Sequence, residues 1–347
     1  MKVLIAGGGS GGHAYPAIAT ARYLLEEIPG NRVLLIGSRK GREVEPAAES
    51  GIPFIGLEVS GLVGKGPVSA LKALYHFAMG TTKALKAIRD FGPDCVLGTG
   101  GYAAAPSCFA ALLSRVPLVL LEMNRDPGLV TRALARRAKA VALGFGSTAA
   151  RLTGANCVVT GIPVRREIEL LAMPGVLEQT RKAALAEFGL KKSDKTLLIL
   201  GGSRGARALN LALWRALCGS AVFRGVQFLH LTGEQGEGDR ELMRAVESAR
   251  AQGITYRHMA YCKSMELAYA VADLVLCRGG AGTLAELMAV GLPSVIVPLP
   301  ELAGGHQLEN ALEMQREGAA LVVEQRGEVA SEAIWRALEI ILDGPEL

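Results

Sequence analysis

The sequence predicts an α/β protein: two Rossmann-like, doubly wound parallel-sheet lobes facing a central cleft. Three observations predict it. Short apolar runs alternate with helical stretches along the chain, the rhythm of parallel strands joined by crossover helices. Four of these runs pass through a glycine-rich turn directly into a helix: Gly7-Gly8-Gly9-Ser10-Gly11-Gly12-His13, Gly98-Thr99-Gly100-Gly101-Tyr102, Gly201-Gly202-Ser203-Arg204-Gly205 and Gly279-Gly280-Ala281-Gly282-Thr283. At 347 residues the chain also exceeds a typical single core, so two domains are the natural division.

In the first half, strands are predicted at Val3–Ala6, Arg32–Ile36, Pro53–Leu57, Asp94–Leu97, Leu118–Glu122, Ala140–Leu143 and Cys157–Thr160. Residues Pro67 to Asp90 read as one helix, on which Lys72, His76, Lys83 and Lys86 share an arc of about 80°. The rhythm repeats at Thr196–Leu200, Val226–Leu231, Gly253–Tyr256, Leu274–Cys277, Ser294–Pro298 and Ala320–Val323. Lys2 to Gly8 and Thr196 to Gly202 match in type, each opening the sheet of its half. Gly161 and Pro163 interrupt both patterns, which puts the domains at residues 1–160 and 161–347.

Composition narrows the function. Glycine accounts for 43 residues, well above the usual level of about 7%, and the excess sits at segment ends. No apolar run approaches the roughly 18 residues of a membrane span, and the N-terminus enters a strand without a signal-peptide pattern. The six cysteines lack metal-binding spacing and read as free thiols in a reducing compartment. Residues 1–160 carry 18 Lys and Arg against 10 Asp and Glu, a balance of +8, whereas residues 161–347 carry 20 against 23, a balance of −3. The first lobe therefore expects an anionic partner. With 5% aromatics and no recognisable motif, nucleic acid is disfavoured.

Glycine turns let backbone N–H groups approach a ligand, and a helix N-terminus adds positive potential, so such turns suit phosphates. Two in each half outline a sugar-nucleotide glycosyltransferase. Seven ordered segments then carry a family resemblance. They are Gly8-Gly9-Ser10-Gly11-Gly12-His13-x-x-Pro16, Ser60-Gly61-Leu62-x-Gly64-Lys65-Gly66, Val96-Leu97-Gly98-x-Gly100-Gly101-Tyr102, Gly161-x-Pro163-Val164-Arg165, Gly201-Gly202-Ser203-x-Gly205-Ala206-Arg207, Arg278-x-Gly280-Ala281-x-Thr283-x-x-Glu286 and His306-Gln307-x-x-Asn310-Ala311. Over about residues 2–323 the chain resembles the MurG family, bacterial N-acetylglucosaminyltransferases that complete the lipid-linked peptidoglycan precursor. The resemblance implies a GT-B fold, UDP-N-acetylglucosamine as donor and undecaprenyl-pyrophosphoryl-N-acetylmuramoyl-pentapeptide as acceptor. It also implies inverting transfer to the acceptor's C4 hydroxyl, no cofactor, and a peripheral place on the cytoplasmic face of the cell membrane.

The donor chemistry agrees with that implication. A departing diphosphate must be stabilised as charge builds on its oxygen. No Asp-x-Asp pair is present to hold a metal, so the helix N-terminus at Ala281, Gly282 and Thr283 is the alternative, continuing into Leu284 and Ala285. Glu286, one turn in, either accepts from both ribose hydroxyls or complements the helix dipole. By resemblance Ser203 and Arg165 touch the nucleotide, backbone groups at Cys262 meet the uracil, and Gln307 meets sugar hydroxyls.

On the acceptor side, Ser10, Gly11 and Gly12 form a nest suited to a pyrophosphate. His13 is a candidate general base or a helix-capping residue, Glu122 is the rival base, and Asn124 a polar contact to the sugars. Leu62 and Val63 beside the Lys72/Lys83/Lys86 face suggest contact with an anionic membrane surface. The chain departs from the family pattern at Leu121 and Met123, which replace polar residues, at Ile162 and at Arg204. It also stops at Leu347, before the final helix that packs back across the first lobe in such folds. Three other readings compete: a hydrolase built on the two G-x-S-x-G patterns with Asp273 and His306, an NAD-binding protein, and a related enzyme on the same fold. The last class includes a glycolipid glycosyltransferase and a UDP-N-acetylglucosamine epimerase; a catalytically weakened binding homologue is a further alternative.

Overall fold

The computed structural model describes residues 1–9, 11–41, 43–59, 67–202, 206–210, 212, 225–233, 236, 239–299, 306–325 and 331–343. Ser10, the loop carrying Leu62 and Val63, Ser203 and Arg204 lie outside them. Seven strands form the first sheet: β1 (Lys2–Ala6), β2 (Arg32–Ser38), β3 (Phe54–Leu57), β4 (Cys95–Gly98), β5 (Leu118–Glu122), β6 (Ala140–Leu143) and β7 (Cys157–Val159). They lie in the order β3-β2-β1-β4-β5-β6-β7, every pair parallel. The second sheet contains β8 (Lys195–Leu200), β9 (Val226–Leu231), β10 (Tyr256–Met259), β11 (Leu274–Cys277), β12 (Ser294–Ile296) and β13 (Ala320–Val322). Its order is β10-β9-β8-β11-β12-β13, again all parallel.

Both sheets are covered on both faces, and alternate residues of one strand show it. Val3 and Ile5 pack with Ala17, Ile18 and Ala21 of the helix Gly11–Glu26. Leu4 and Ala6 turn the other way, joining Ala84 and Ile88 of the helix Pro67–Phe91 and Ala104 and Cys108 of the helix Gly101–Leu113. In the second sheet Leu197 and Ile199 meet Leu242 and Val246, while Leu198 and Leu200 meet Phe188, Tyr269 and Leu284. Burial on both faces is why these strands are continuous apolar runs in sequence.

The strand orders place a reversal in each sheet. In each sheet the chain winds outward on one side, then crosses back over the first strand and winds outward on the other. The order thus reverses between β1 and β4, and between β8 and β11. At such a reversal the loops beyond the strand ends diverge and leave a crevice. All four glycine turns follow these four strands.

At the opposite strand ends the two units repeat one clasp. The Asp94 N–H donates to the Lys2 carbonyl at 2.8 Å and its carboxylate accepts from the Lys2 N–H at 2.7 Å. Asp273 does the same with Thr196, also at 2.7 Å, and takes a bidentate pair from Arg181 at 2.9 Å. Asp273 therefore lies a strand length, about 17 Å or more, from the glycine turns of its own unit. It cannot complete a hydrolytic triad with a serine there.

Packing divides the chain into Met1–Arg166 and Glu167–Leu347. The segment after β7 stays with the first unit because Thr160 and Gly161 donate to the Leu143 carbonyl and Ile162 fills the space beside Gly144. One strand differs from the sequence expectation: 253–255 form the turn and connection after the helix Arg240–Ala251, and β10 starts at Tyr256. Gly253 and Ile254 donate back to Arg250 and Ala249, and Gly253 takes a left-handed φ of 81° that stops the helix.

On β9, His230 is fully buried between the Tyr256 hydroxyl at 2.8 Å and the Asn210 side-chain oxygen at 3.0 Å. Burial, with a smaller contribution from His258, pushes its pKa down to about 3. The unfolded chain, with a histidine pKa near 6.5, binds the extra proton, so this stabilisation is full above about pH 6.5 and is lost as the pH falls toward 3. Denaturant unfolding should therefore weaken from pH 7.5 to pH 5, and His230→Gln should flatten that slope. An unchanged slope would remove His230 as the cause.

Candidate active site

In the first unit, β1 feeds a turn in which Gly8 and Gly9 have φ values of 127° and 87°, a region open to glycine. The turn delivers His13 into the first turn of the helix Gly11–Glu26. Across the strand reversal, the His13 Nδ1 lies 2.9 Å from the Thr99 carbonyl, and the Thr99 hydroxyl donates to the His13 carbonyl at 3.1 Å. A carbonyl only accepts, so Nδ1 carries the proton and Nε2 is the basic nitrogen. The ring sits against Gly100 and Gly101, where any Cβ would come within 3.0 Å of it. Tyr102 follows, partly exposed and packed on Gly9.

Glu122 ends β5 with a buried side chain. One carboxylate oxygen accepts from the Asn124 backbone at 3.0 Å and its side chain at 3.4 Å; the other accepts from Gly128 at 3.0 Å. The carboxylate thus shapes the turn leading to the helix Leu129–Leu134. Leu121 and Met123, the apolar departures on either side, are buried in the interior, where a polar side chain would need a partner. Arg165 lies 5.3 Å over the Tyr15 ring, and Arg166 pairs with Glu27, so both arginines are held by the first helix.

In the second unit, β11 runs through Arg278 and Gly279 into the helix Ala281–Val290, capped by Gly280. The backbone N–H groups of Ala281, Gly282 and Thr283 open this helix; that of Leu284 already donates to Gly280 at 3.0 Å. Leu284 and Ala285 turn their side chains into the core. Glu286 accepts from the buried Tyr269 hydroxyl at 2.7 Å, which fixes its carboxylate. The helix His306–Arg316 is locked against the same turn. Its Asn310 amide donates to the Gly279 carbonyl at 3.3 Å, and Gly279 packs so closely on the Gln307 backbone that a Cβ would collide. The Gln307 side-chain oxygen accepts from Leu299 at 3.0 Å, which orients its amide nitrogen as a donor. Cys262 is buried, with its thiol donating to the Ser264 carbonyl at 3.4 Å.

Arg278 braces the site from below. One guanidinium nitrogen donates to the Val297 carbonyl and the Gln325 side chain, both at 2.9 Å, and burial lowers its pKa to about 10, still cationic at neutral pH. Among the described residues no His, Cys, Asp or Glu group could hold a metal ion. The structure thus assembles His13, Gly100, Gly101 and Tyr102 at one reversal and Ala281–Thr283, Glu286, Gln307 and Asn310 at the other. Sequence reasoning overlooked Tyr269 and Glu43. The latter is fully buried and holds the first glycine turn, and the glycines at 37 and 41 were the available signal.

Comparison with known proteins agrees with this geometry. Residues 3–143 match the glycosyltransferase family 28 N-terminal domain, and residues 196–343 its C-terminal domain. A protein of Moorella thermoacetica named UDP-N-acetylglucosamine–N-acetylmuramyl-(pentapeptide) pyrophosphoryl-undecaprenol N-acetylglucosamine transferase is 40% identical over 94% of this chain and 86% of its own. The crystal structure of Acinetobacter baumannii MurG superposes with a TM-score of 0.71 at 27% identity, covering 98% of this chain and 90% of that one. A Neisseria meningitidis UDP-GlcNAc 2-epimerase shares the fold alone, with a TM-score of 0.67 at 14% identity over 99% of this chain and 92% of its own. On the domain matches and the near full-length identity, the chain belongs to glycosyltransferase family 28, in its MurG branch.

Proposed function

We propose that this chain transfers N-acetylglucosamine from UDP-N-acetylglucosamine to the C4 hydroxyl of undecaprenyl-pyrophosphoryl-N-acetylmuramoyl-pentapeptide, with inversion and without a metal. The 40% identity to a transferase of that name carries the reading. The second unit receives the donor. The N–H groups of Ala281, Gly282 and Thr283 take the diphosphate and stabilise it as it leaves. Glu286 accepts from the ribose hydroxyls, and Gln307 donates to the sugar. In the first unit, Gly11 and Gly12 receive the acceptor's pyrophosphate and His13 Nε2 takes the proton of the attacking hydroxyl. Glu122 is the weaker candidate base, because its carboxylate oxygens already accept from the turn it holds.

Radiolabelled donor turnover with and without lipid acceptor tests the reading. Sugar transfer only with acceptor, unaffected by EDTA, is the expected result. Acceptor-independent conversion of the donor would favour the epimerase alternative, and donor binding without either reaction a binding homologue.

Because the acceptor's lipid tail remains in a bilayer, the first unit works as a peripheral membrane protein. No helix among the described residues is long and apolar enough to cross a membrane. The helix Pro67–Phe91 instead exposes Leu71, Leu74, Tyr75 and Met79 along one arc, with exposed Lys72, Lys83 and Lys86 beside it. Apolar insertion and lysine attraction of about 1 kcal/mol each combine there, the latter screened by salt. Serines at Leu71, Leu74 and Tyr75 should abolish salt-resistant sedimentation with anionic vesicles, and Lys72, Lys83 and Lys86 to Glu the salt-sensitive part. Equal binding by wild type and both variants would disprove the surface.

A further inference from the structure

Glu43 follows β2 and precedes the helix Val44–Glu49, yet its side chain turns back into the protein and is fully buried. Both carboxylate oxygens lie 3.1 Å from the Gly9 N–H, and one also accepts from the Ser38 N–H at 2.5 Å. The space for this carboxylate is built from glycines: a Cβ at Gly8, Gly37 or Gly41 would collide with it. A buried carboxylate is costly unless donors surround it, and here the donors belong to the first glycine turn and the end of β2. In dinucleotide-binding folds an acid at the end of β2 reaches outward to a ribose. This one reaches inward and places an anion of the protein's own on the turn.

The contact continues to the proposed base. The Gly8 carbonyl packs against Gly101, where a Cβ would lie 2.8 Å from it, and the His13 ring packs on the same glycine, 3.0 Å from that Cβ position. Gly101 is thus the common neighbour of the first glycine turn and the imidazole. We propose that Glu43 is a positioning residue for His13, acting through the first glycine turn, and that the Gly9 N–H is occupied by this internal carboxylate and unavailable to substrate phosphate. The proposal rests on the reading of His13 as general base.

A double-mutant cycle on the full-length chain tests it, using radiolabelled UDP-N-acetylglucosamine and lipid acceptor for turnover and calorimetry for donor affinity. Glu43→Gln puts an amide group where two N–H groups need acceptors. It should lower kcat by about 10–100-fold, the cost of a small misplacement of a catalytic group, with the donor Kd unchanged. In a His13→Ala background the same change should cost less than about twofold, because the group it positions is already gone. Gly41→Ala, which keeps the carboxylate but pushes it off the turn, should reproduce both results. The proposal is overturned by additive effects, by unchanged kcat, by a His13→Ala variant of full activity, or by donor affinity falling in step with kcat. Should Glu43→Gln fail to unfold cooperatively, Gly41→Ala decides, and failure of both to fold would make Glu43 a stability element only. A wild-type chain that transfers no sugar is a separate outcome, seen before any variant, and refutes the functional reading itself.

Discussion

Replacing His13 with alanine is expected to lower turnover by about 10²–10⁴-fold, the usual contribution of general-base assistance, with donor affinity nearly unchanged. The asymmetry follows from where the residues reside: His13 belongs to the first unit, and the proposed donor contacts Ala281–Thr283, Glu286 and Gln307 to the second. The Thr99 carbonyl adds a finer expectation, since it holds the proton on Nδ1 and leaves Nε2 as the basic nitrogen of the ring. His13→Gln, which keeps a hydrogen-bonding group but no titrating nitrogen, should be about as inactive as alanine. Turnover that survives nearly intact would transfer the role to Glu122, and Glu122→Gln in the same assay would then decide. That variant also disturbs the turn through Gly128, so a loss of activity counts only if acceptor KM stays constant.

The second large effect is expected in binding. Glu286→Ala should raise the Kd of UDP-N-acetylglucosamine by about ten- to a hundredfold, from the loss of charge-assisted bonds worth roughly 1.5–3 kcal/mol. The Tyr269 hydroxyl at 2.7 Å supplies an internal control. Tyr269→Phe leaves the carboxylate in place but unanchored, and the weakening should be smaller, within about tenfold. Calorimetry on both variants separates the two readings that the sequence left open for Glu286. A carboxylate that only complements the helix dipole leaves the Kd unchanged when removed but lowers the unfolding midpoint.

Much of the molecule was legible before folding was considered. Parallel strands buried on both faces announce themselves as local apolar runs, so β1, β5 and β11 appear in the sequence nearly residue for residue. Local signals fail at helix ends: Gly253 looked like the start of a strand because its left-handed turn cannot be read from the residues alone. They fail again for polar residues whose partners are distant. Glu43 and Gly9 are 34 positions apart and His13 and Thr99 86 apart, separations beyond the reach of local propensity. Leu121 and Met123, departures from a polar pattern in sequence, are buried in the structure.

By itself, then, the sequence determined the α/β class, the pairing of two similar halves, the four glycine turns and their chemistry. Each depends on propensities and periodicities within a few residues. Only the tertiary structure decided the strand order, because hydrogen bonding between strands is indifferent to their separation along the chain. That order puts β4 beside β1 and β11 beside β8, gathers the glycine turns in pairs at the two reversals, and sends Asp273 to the far end of its strand.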